Sequence, residues 1–113
     1  MKLAGLVLLL VFAAVPASAG RIRAWDADAH VGETATVEGR LHVDRMASGE
    51  IYLDLDGASD GAPLSGYISR WNANRFPGLA ALDGKLVDIT GEITTFRYRP
   101  EIFITDPGQI AAR

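Results

Sequence analysis

From residue 34 to residue 43 the side chains alternate. Ala35, Val37, Gly39, Leu41 and Val43 fall on one side, and Thr34, Thr36, Glu38, Arg40 and His42 on the other. A period of two sustained over this length predicts a half-buried β-strand. Gly39 sits on its inward side in mid-strand, where a glycine marks a bulge or a sharp bend. Residues 44–50, with Ser48-Gly49, read as a hairpin loop. Residues 51–56 alternate again, with Ile51, Leu53 and Leu55 inward and Tyr52, Asp54 and Asp56 outward. Residues 57–63 form a turn-rich loop. Residues 64–70 predict a third strand, with Leu64, Gly66 and Ile68 inward and Tyr67 and Ser69 outward. The period then changes. Trp71, Phe76, Leu79, Ala80 and Leu82 stand at irregular helical spacing, which predicts one helical turn at 72–76 and another at 77–82, opened by Pro77 and ended by Asp83-Gly84. Residues 85–95 predict a long fourth strand with Val87, Ile89, Gly91 and Ile93 inward and Asp88 outward. Residues 96–100 read as a loop, 101–105 as a fifth strand, and Asp106-Pro107-Gly108 as a turn after which Ile110 folds back.

Three strands, a short helix and two more strands is the order of the OB-fold. The expected fold class is therefore all-β, a five-stranded Greek-key OB-fold barrel with a short helix between the third and fourth strands. Another small barrel or an α+β sheet is the alternative. The residues also resemble a known group. Val31-Gly32-Glu33 leading to Val37-Glu38-Gly39 is similar to the opening of small bacterial OB-fold proteins of the nucleic-acid-binding, tRNA-anti-like kind. Leu82-x-Gly84-Lys85-x-Val87-x-Ile89-Thr90-Gly91-x-Ile93 resembles their fourth strand. Arg99-Pro100-Glu101-Ile102 with Asp106-Pro107-x-Gln109-Ile110 resembles their closing strand and tail. The similarity spans residues 28–111. Relatives carry Tyr-x-Gly-x-Pro before the last strand; here Tyr98 stands at the glycine. The resemblance implies single-stranded nucleic-acid binding, although a shared fold does not fix a function.

The N-terminus predicts a compartment. Lys2 precedes an apolar run from Leu3 to Val15, and Pro16-Ala17-Ser18-Ala19 supplies small residues at the cleavage positions. This order describes a signal peptide at residues 1–19, and the run is too short for a good membrane span. The expected mature chain, residues 20–113, is one small exported domain with no transmembrane segment, periplasmic or secreted from the bacterial envelope. The whole chain carries a net charge of −3, and loss of Lys2 makes the mature part more acidic. That balance argues against strong sequence-independent nucleic-acid binding, which needs a basic footprint. Cysteine is absent, which excludes thiol chemistry and cysteine-based metal sites and leaves stability to the hydrophobic core.

The best candidate chemistry lies on the outer face of segments 51–56 and 64–70 with the loop at 96–100. Tyr52, Tyr67 and Arg40 are placed on that face, and Phe96, Arg97, Tyr98 and Arg99 on the loop. Aromatic rings interleaved with arginines can stack bases and neutralise phosphates. The plainer reading makes Tyr52 and Tyr67 cross-strand neighbours and pairs the arginines with local carboxylates. Asp54, Asp56 and Asp60 nearby would repel a phosphate backbone. Asp54-x-Asp56-Gly57 also resembles the start of a calcium loop, but Ser65 stands where the twelfth-position glutamate belongs, so a polar turn is the better reading. His30 and His42 lack metal or catalytic spacing. Trp71 reads as a cap on the core. Trp25 reads as packing across the barrel's bottom or, if exposed, as part of a partner surface. The expected function is a non-catalytic binding module, without cofactor or metal, for a single-stranded nucleic acid or nucleotide. The alternative is a module that binds an envelope protein or peptide.

Overall fold

The structure is a computed structural model that describes residues 18–58 and 61–113. Most of the signal-peptide reading and the residue Asp60 lie outside the described residues. Among the described residues eight strands form: β1 (Ser18–Arg23), β2 (Thr34–Arg45), β3 (Ile51–Leu55), β4 (Leu64–Ile68), β5 (Leu86–Glu92), β6 (Thr94–Phe96), β7 (Arg99–Phe103) and β8 (Ile110–Ala112). The fold is all-β, as the alternation predicts. The five-stranded closed barrel is not what forms. The strands run in one open sheet in the order β6-β7-β4-β3-β2-β5-β8, with β1 beside β2.

Two causes separate this sheet from the expected barrel. The segment at 85–95 breaks at Ile93, whose backbone is taken by the turn before β2: Ile93 N–H donates to the Glu33 carbonyl at 2.9 Å, and Gly32 N–H donates to the Ile93 carbonyl at 2.7 Å. The chain therefore leaves β2 at this point, and β6 pairs with β7 instead. The two ends of the described chain also add strands. β1 pairs parallel with β2, and β8 antiparallel with β5. β8 is aimed by a capped turn in which Pro107 occupies the first helical position and Asp106 accepts from Gly108 N–H. The Gln109 side chain fixes that turn, donating to the carbonyls of Thr90 and Phe103 at 3.0 and 3.1 Å.

β2 makes the sheet possible. Its first half pairs with β5 through Arg40, and its second half pairs with β3 from Leu41 onward. Both sets of bonds meet at the same place: Arg40 carbonyl accepts from Asp56 N–H, and Leu41 N–H donates to the Lys85 carbonyl. The inward residues read from the sequence, Ala35, Val37, Leu41, Leu53, Leu55, Leu64, Ile68, Val87 and Ile89, are buried. They join Ile102 and Ile104 in one core.

Among the described residues there is no α-helix. The two expected helical turns are short 3-10 turns, Ala73–Arg75 and Leu79–Leu82, separated where Pro77 lacks an N–H. Their anchors are Phe76 and Leu79, both buried. Trp71 is not a core cap. The residue is 76% exposed, with the Arg70 guanidinium over its ring at 4.4 Å. A further 3-10 turn, Ala24–His30, places Ala24 and Ala27 in the core and leaves Trp25 outside, 63% exposed. No helix among the described residues is long and apolar enough to cross a membrane.

Gly39 marks the crowded point of β2. A Cβ there would stand 2.9 Å from Leu55 Cβ and 3.1 Å from a carboxylate oxygen of Asp56. Gly39→Ala is expected to destabilise by about 1–3 kcal/mol through overpacking, measured by urea unfolding. An unchanged midpoint would mean that β2 and the end of β3 can separate freely.

Candidate functional site

Strand pairing alone sets two rows of side chains on the outer face of β3, β4 and β7. In one row Asp44 of β2 lies opposite Tyr52, Tyr52 opposite Tyr67, and Tyr67 beside Phe103. In the next row His42 lies opposite Asp54, Asp54 opposite Ser65, and Ser65 beside Glu101. The first row is aromatic and the second is acidic and polar.

The aromatic row is continuous. The Tyr52 and Tyr67 rings are 5.3 Å apart and tilted by 57°, and Phe103 meets Tyr67 edge-on at 5.7 Å. These are the distances and angles that aromatic quadrupoles favour. Partial burial, followed by the charge of Glu101, holds the Tyr52 hydroxyl above the usual phenol range. Burial and then Glu50, with which Tyr67 shares a hydrogen bond, do the same for Tyr67. Phe103 extends the row and is hidden from a sequence reading, which places no ligand residue on the last strand. Its outward position opposite Tyr67 follows from the parallel pairing of β4 with β7, a long-range contact that local alternation does not encode.

Beside this row is a cleft of about 290 Å³, whose lining includes Tyr52, Asp54, Phe96, Arg97, Arg99 and Glu101. Asp54, expected outside, is only 2% exposed. Its carboxylate accepts from the Ser65 hydroxyl at 2.6 Å, so Ser65, the residue that breaks the calcium-loop pattern, acts as a donor to the first aspartate of that pattern. Asp56 is likewise engaged, accepting from Arg40 N–H at 2.8 Å. Among the described residues no group of three or more acidic or histidine side chains could hold a metal ion. His30 faces Glu33 at 3.1 Å, and His42 lies 3.9 Å from Asp83.

Glu101 is 5% exposed. Burial pushes its carboxyl above the usual range, and the Arg99 guanidinium partly offsets this. Arg99 also donates to the Ala62 carbonyl at 3.2 Å. Arg97 lies over the Phe96 ring at 5.1 Å.

Not every predicted site residue reaches the cleft. Tyr52, Phe96, Arg97 and Arg99 line it. Tyr67 lies in the adjoining shallow pocket with Glu50, Arg70 and Trp71. Arg40 is turned elsewhere, donating to the Gly84 carbonyl at 2.7 Å. Tyr98 stands fully exposed at the tip of the β6–β7 hairpin. Residues 96–100, expected as a loop, are mostly strand, and only Arg97 and Tyr98 make the connection. Both have positive φ, 52° and 67°, the backbone that a two-residue hairpin turn of the primed type demands and that glycine or asparagine usually supplies.

No protein-family model matches the chain, and no curated protein matches it either. Among solved structures it is similar to a Leishmania major Friedlin protein put forward as an aspartyl-tRNA synthetase, with a TM-score of 0.53 and 10% identity over 81% of this chain and 20% of that one. That likeness is one of fold, and the chain spans about a fifth of that protein's length. The hypothetical protein ygiW of E. coli aligns over 83% of this chain and 95% of its own, with 16% identity and a TM-score of 0.48. TiaS, in its complex with a tRNA, AMPCPP and agmatine, aligns over 76% of this chain and 21% of its own, with 9% identity and a TM-score of 0.42.

The hairpin and the buried carboxyl each make a stability test. Tyr98→Gly should stabilise the fold by about 1 kcal/mol by relieving a left-handed backbone at a non-glycine residue, read from the shift in urea midpoint. A loss of stability would assign the exposed ring a packing role that its exposure denies. Glu101→Gln should raise Tm at neutral pH, because folding there forces a carboxylate out of water. The raised carboxyl binds its proton more tightly folded than unfolded, so the penalty is absent at low pH and appears as pH rises through the Glu101 range. The advantage of the variant should therefore shrink on acidification, and a variant less stable than wild type at neutral pH would show that the carboxylate is held by its surroundings.

Proposed function

We propose that this protein is an exported, non-catalytic binding module of the OB type, and that its ligand face is the outer surface of β3, β4 and β7 with the β6–β7 hairpin. Export rests on the order of charged, apolar and small residues through Ala19. The ligand class that the face favours is a protein or peptide. The observation that carries this reading is the charge of the cleft lining: Asp44, Asp54 and Glu101 line the same space as Arg97 and Arg99. A groove for a phosphate backbone needs a run of positive charge. Here carboxylates lie between the aromatic row and the arginines, and each would repel a phosphate. An extended polypeptide, by contrast, can lay apolar side chains on Tyr52, Tyr67 and Phe103 and direct polar groups into the cleft.

A second reading has its own observation. The unbroken Tyr52–Tyr67–Phe103 row, flanked by Arg97 and the exposed Tyr98, has the form of a stacking platform for a single-stranded nucleic acid or nucleotide.

One preparation separates the two. Protein recovered from the cell envelope is expected to begin at Gly20 by mass spectrometry. Titration with a mixture of short unstructured peptides should move the NMR resonances of Tyr52, Tyr67 and Phe103, and short oligo(dT) should leave them in place. If oligo(dT) moves the same resonances with an affinity that falls as salt rises, the nucleic-acid reading replaces the peptide reading.

A further inference from the structure

Glu101 is the least explained polar group on the binding face. It lines the cleft and is only 5% exposed. Its neighbour Asp54 has the Ser65 hydroxyl, but no described residue donates a hydrogen bond to the Glu101 carboxylate. Arg99 influences it through its charge, and that guanidinium donates to the Ala62 carbonyl. The carboxylate opens into the cleft, so a donor on a bound ligand can reach it. The same cleft is lined by two aromatic rings, Tyr52 and Phe96. Carboxylates and aromatic ring faces are the two kinds of group that attract an organic cation.

Resting on the binding face described above, we infer that the cleft takes one arginine or lysine side chain of a partner polypeptide, with its cationic head on Glu101 and its stem between Tyr52 and Phe96. The volume of about 290 Å³ admits one such side chain and excludes a folded element. Asp44 and Asp54 add to the attraction from the flanks. Arg97 and Arg99, which line the same cleft, oppose a run of adjacent basic residues. The partner chain would then run over the Tyr52–Tyr67–Phe103 row, which supplies an apolar bed next to the cleft.

The test uses the purified protein and three short synthetic peptides with a central arginine, a central citrulline or a central glutamate in an otherwise glycine–serine sequence. Citrulline keeps the shape and most of the donors of arginine and removes the charge. The arginine peptide should bind about tenfold or more tightly than the citrulline peptide, and the glutamate peptide should bind least. Glu101→Gln should erase the preference for arginine over citrulline. Binding of the arginine peptide should weaken as the pH falls through the raised Glu101 range. Asp44, Asp54, Tyr52, Ser65, Arg97 and Arg99 face the same space, and the part of this loss that belongs to Glu101 is the part missing from Glu101→Gln. Equal affinity for arginine and citrulline peptides in the wild-type protein would overturn this inference and leave the peptide-binding reading standing. Failure of the arginine peptide to bind would also overturn this inference, and the peptide-binding reading is then decided by the titration with the peptide mixture.

Discussion

Strand β2 holds backbone hydrogen bonds with three other strands, and the positions near Gly39 are where those obligations change hands. The junction needs a residue that leaves room for Leu55 and the Asp56 carboxylate, and a side chain there would force β2 and β3 apart. The ligand face depends on this junction directly. The second half of β2 fixes the register of β3, β3 fixes β4, and β4 fixes β7 by parallel pairing. Two rows of side chains, one aromatic and one acidic, are the product of that chain of registers.

Local alternation is enough to find β2, β3 and β4 and their inward residues, because each has one apolar face and a length that pins its register. It fails where the outer face is also covered. Asp54 and Asp88 occupy outward positions in their strands, and both are buried. Asp54 lies beneath the cleft rim with Ser65 as a donor. Asp88 is covered by Arg21 of β1 at 2.8 Å and approached by Arg113. Neither cover is readable from the strand itself. β1 gives no signal because Ile22 is the one large apolar residue in Ser18–Arg23, too little for a period. The split at Ile93 arises from a backbone contact with residues 32–33, far away in sequence. Trp71 misleads for a different reason. Its size favours burial, but Phe76 and Leu79 fill the core position, and the indole is left to the Arg70 guanidinium.

The residues of the candidate site are mostly legible as types and only partly as a site. Tyr52, Phe96, Arg97 and Arg99 converge on one cleft, while Arg40 is drawn to the Gly84 carbonyl. What the residue types do not convey is which charges line the cleft. Glu101 carries no site signal in the sequence, and the parallel pairing of β4 with β7 sets it beside Ser65. That placement changes the chemistry of the cleft from a basic, base-stacking one to a mixed one with carboxylates in its lining.

The two-residue connection at Arg97 and Tyr98 is short enough that the chain has almost no slack between β6 and β7. An aromatic ring on a long loop is frozen out of many conformations when a partner arrives, and the complex is weaker by that entropy. Tyr98 sits instead on a turn whose backbone is already fixed in the left-handed region, with the unfavourable dihedral cost met when the protein folds. The backbone beneath the ring is thus set before any partner arrives, and only the ring's own torsions remain to be ordered.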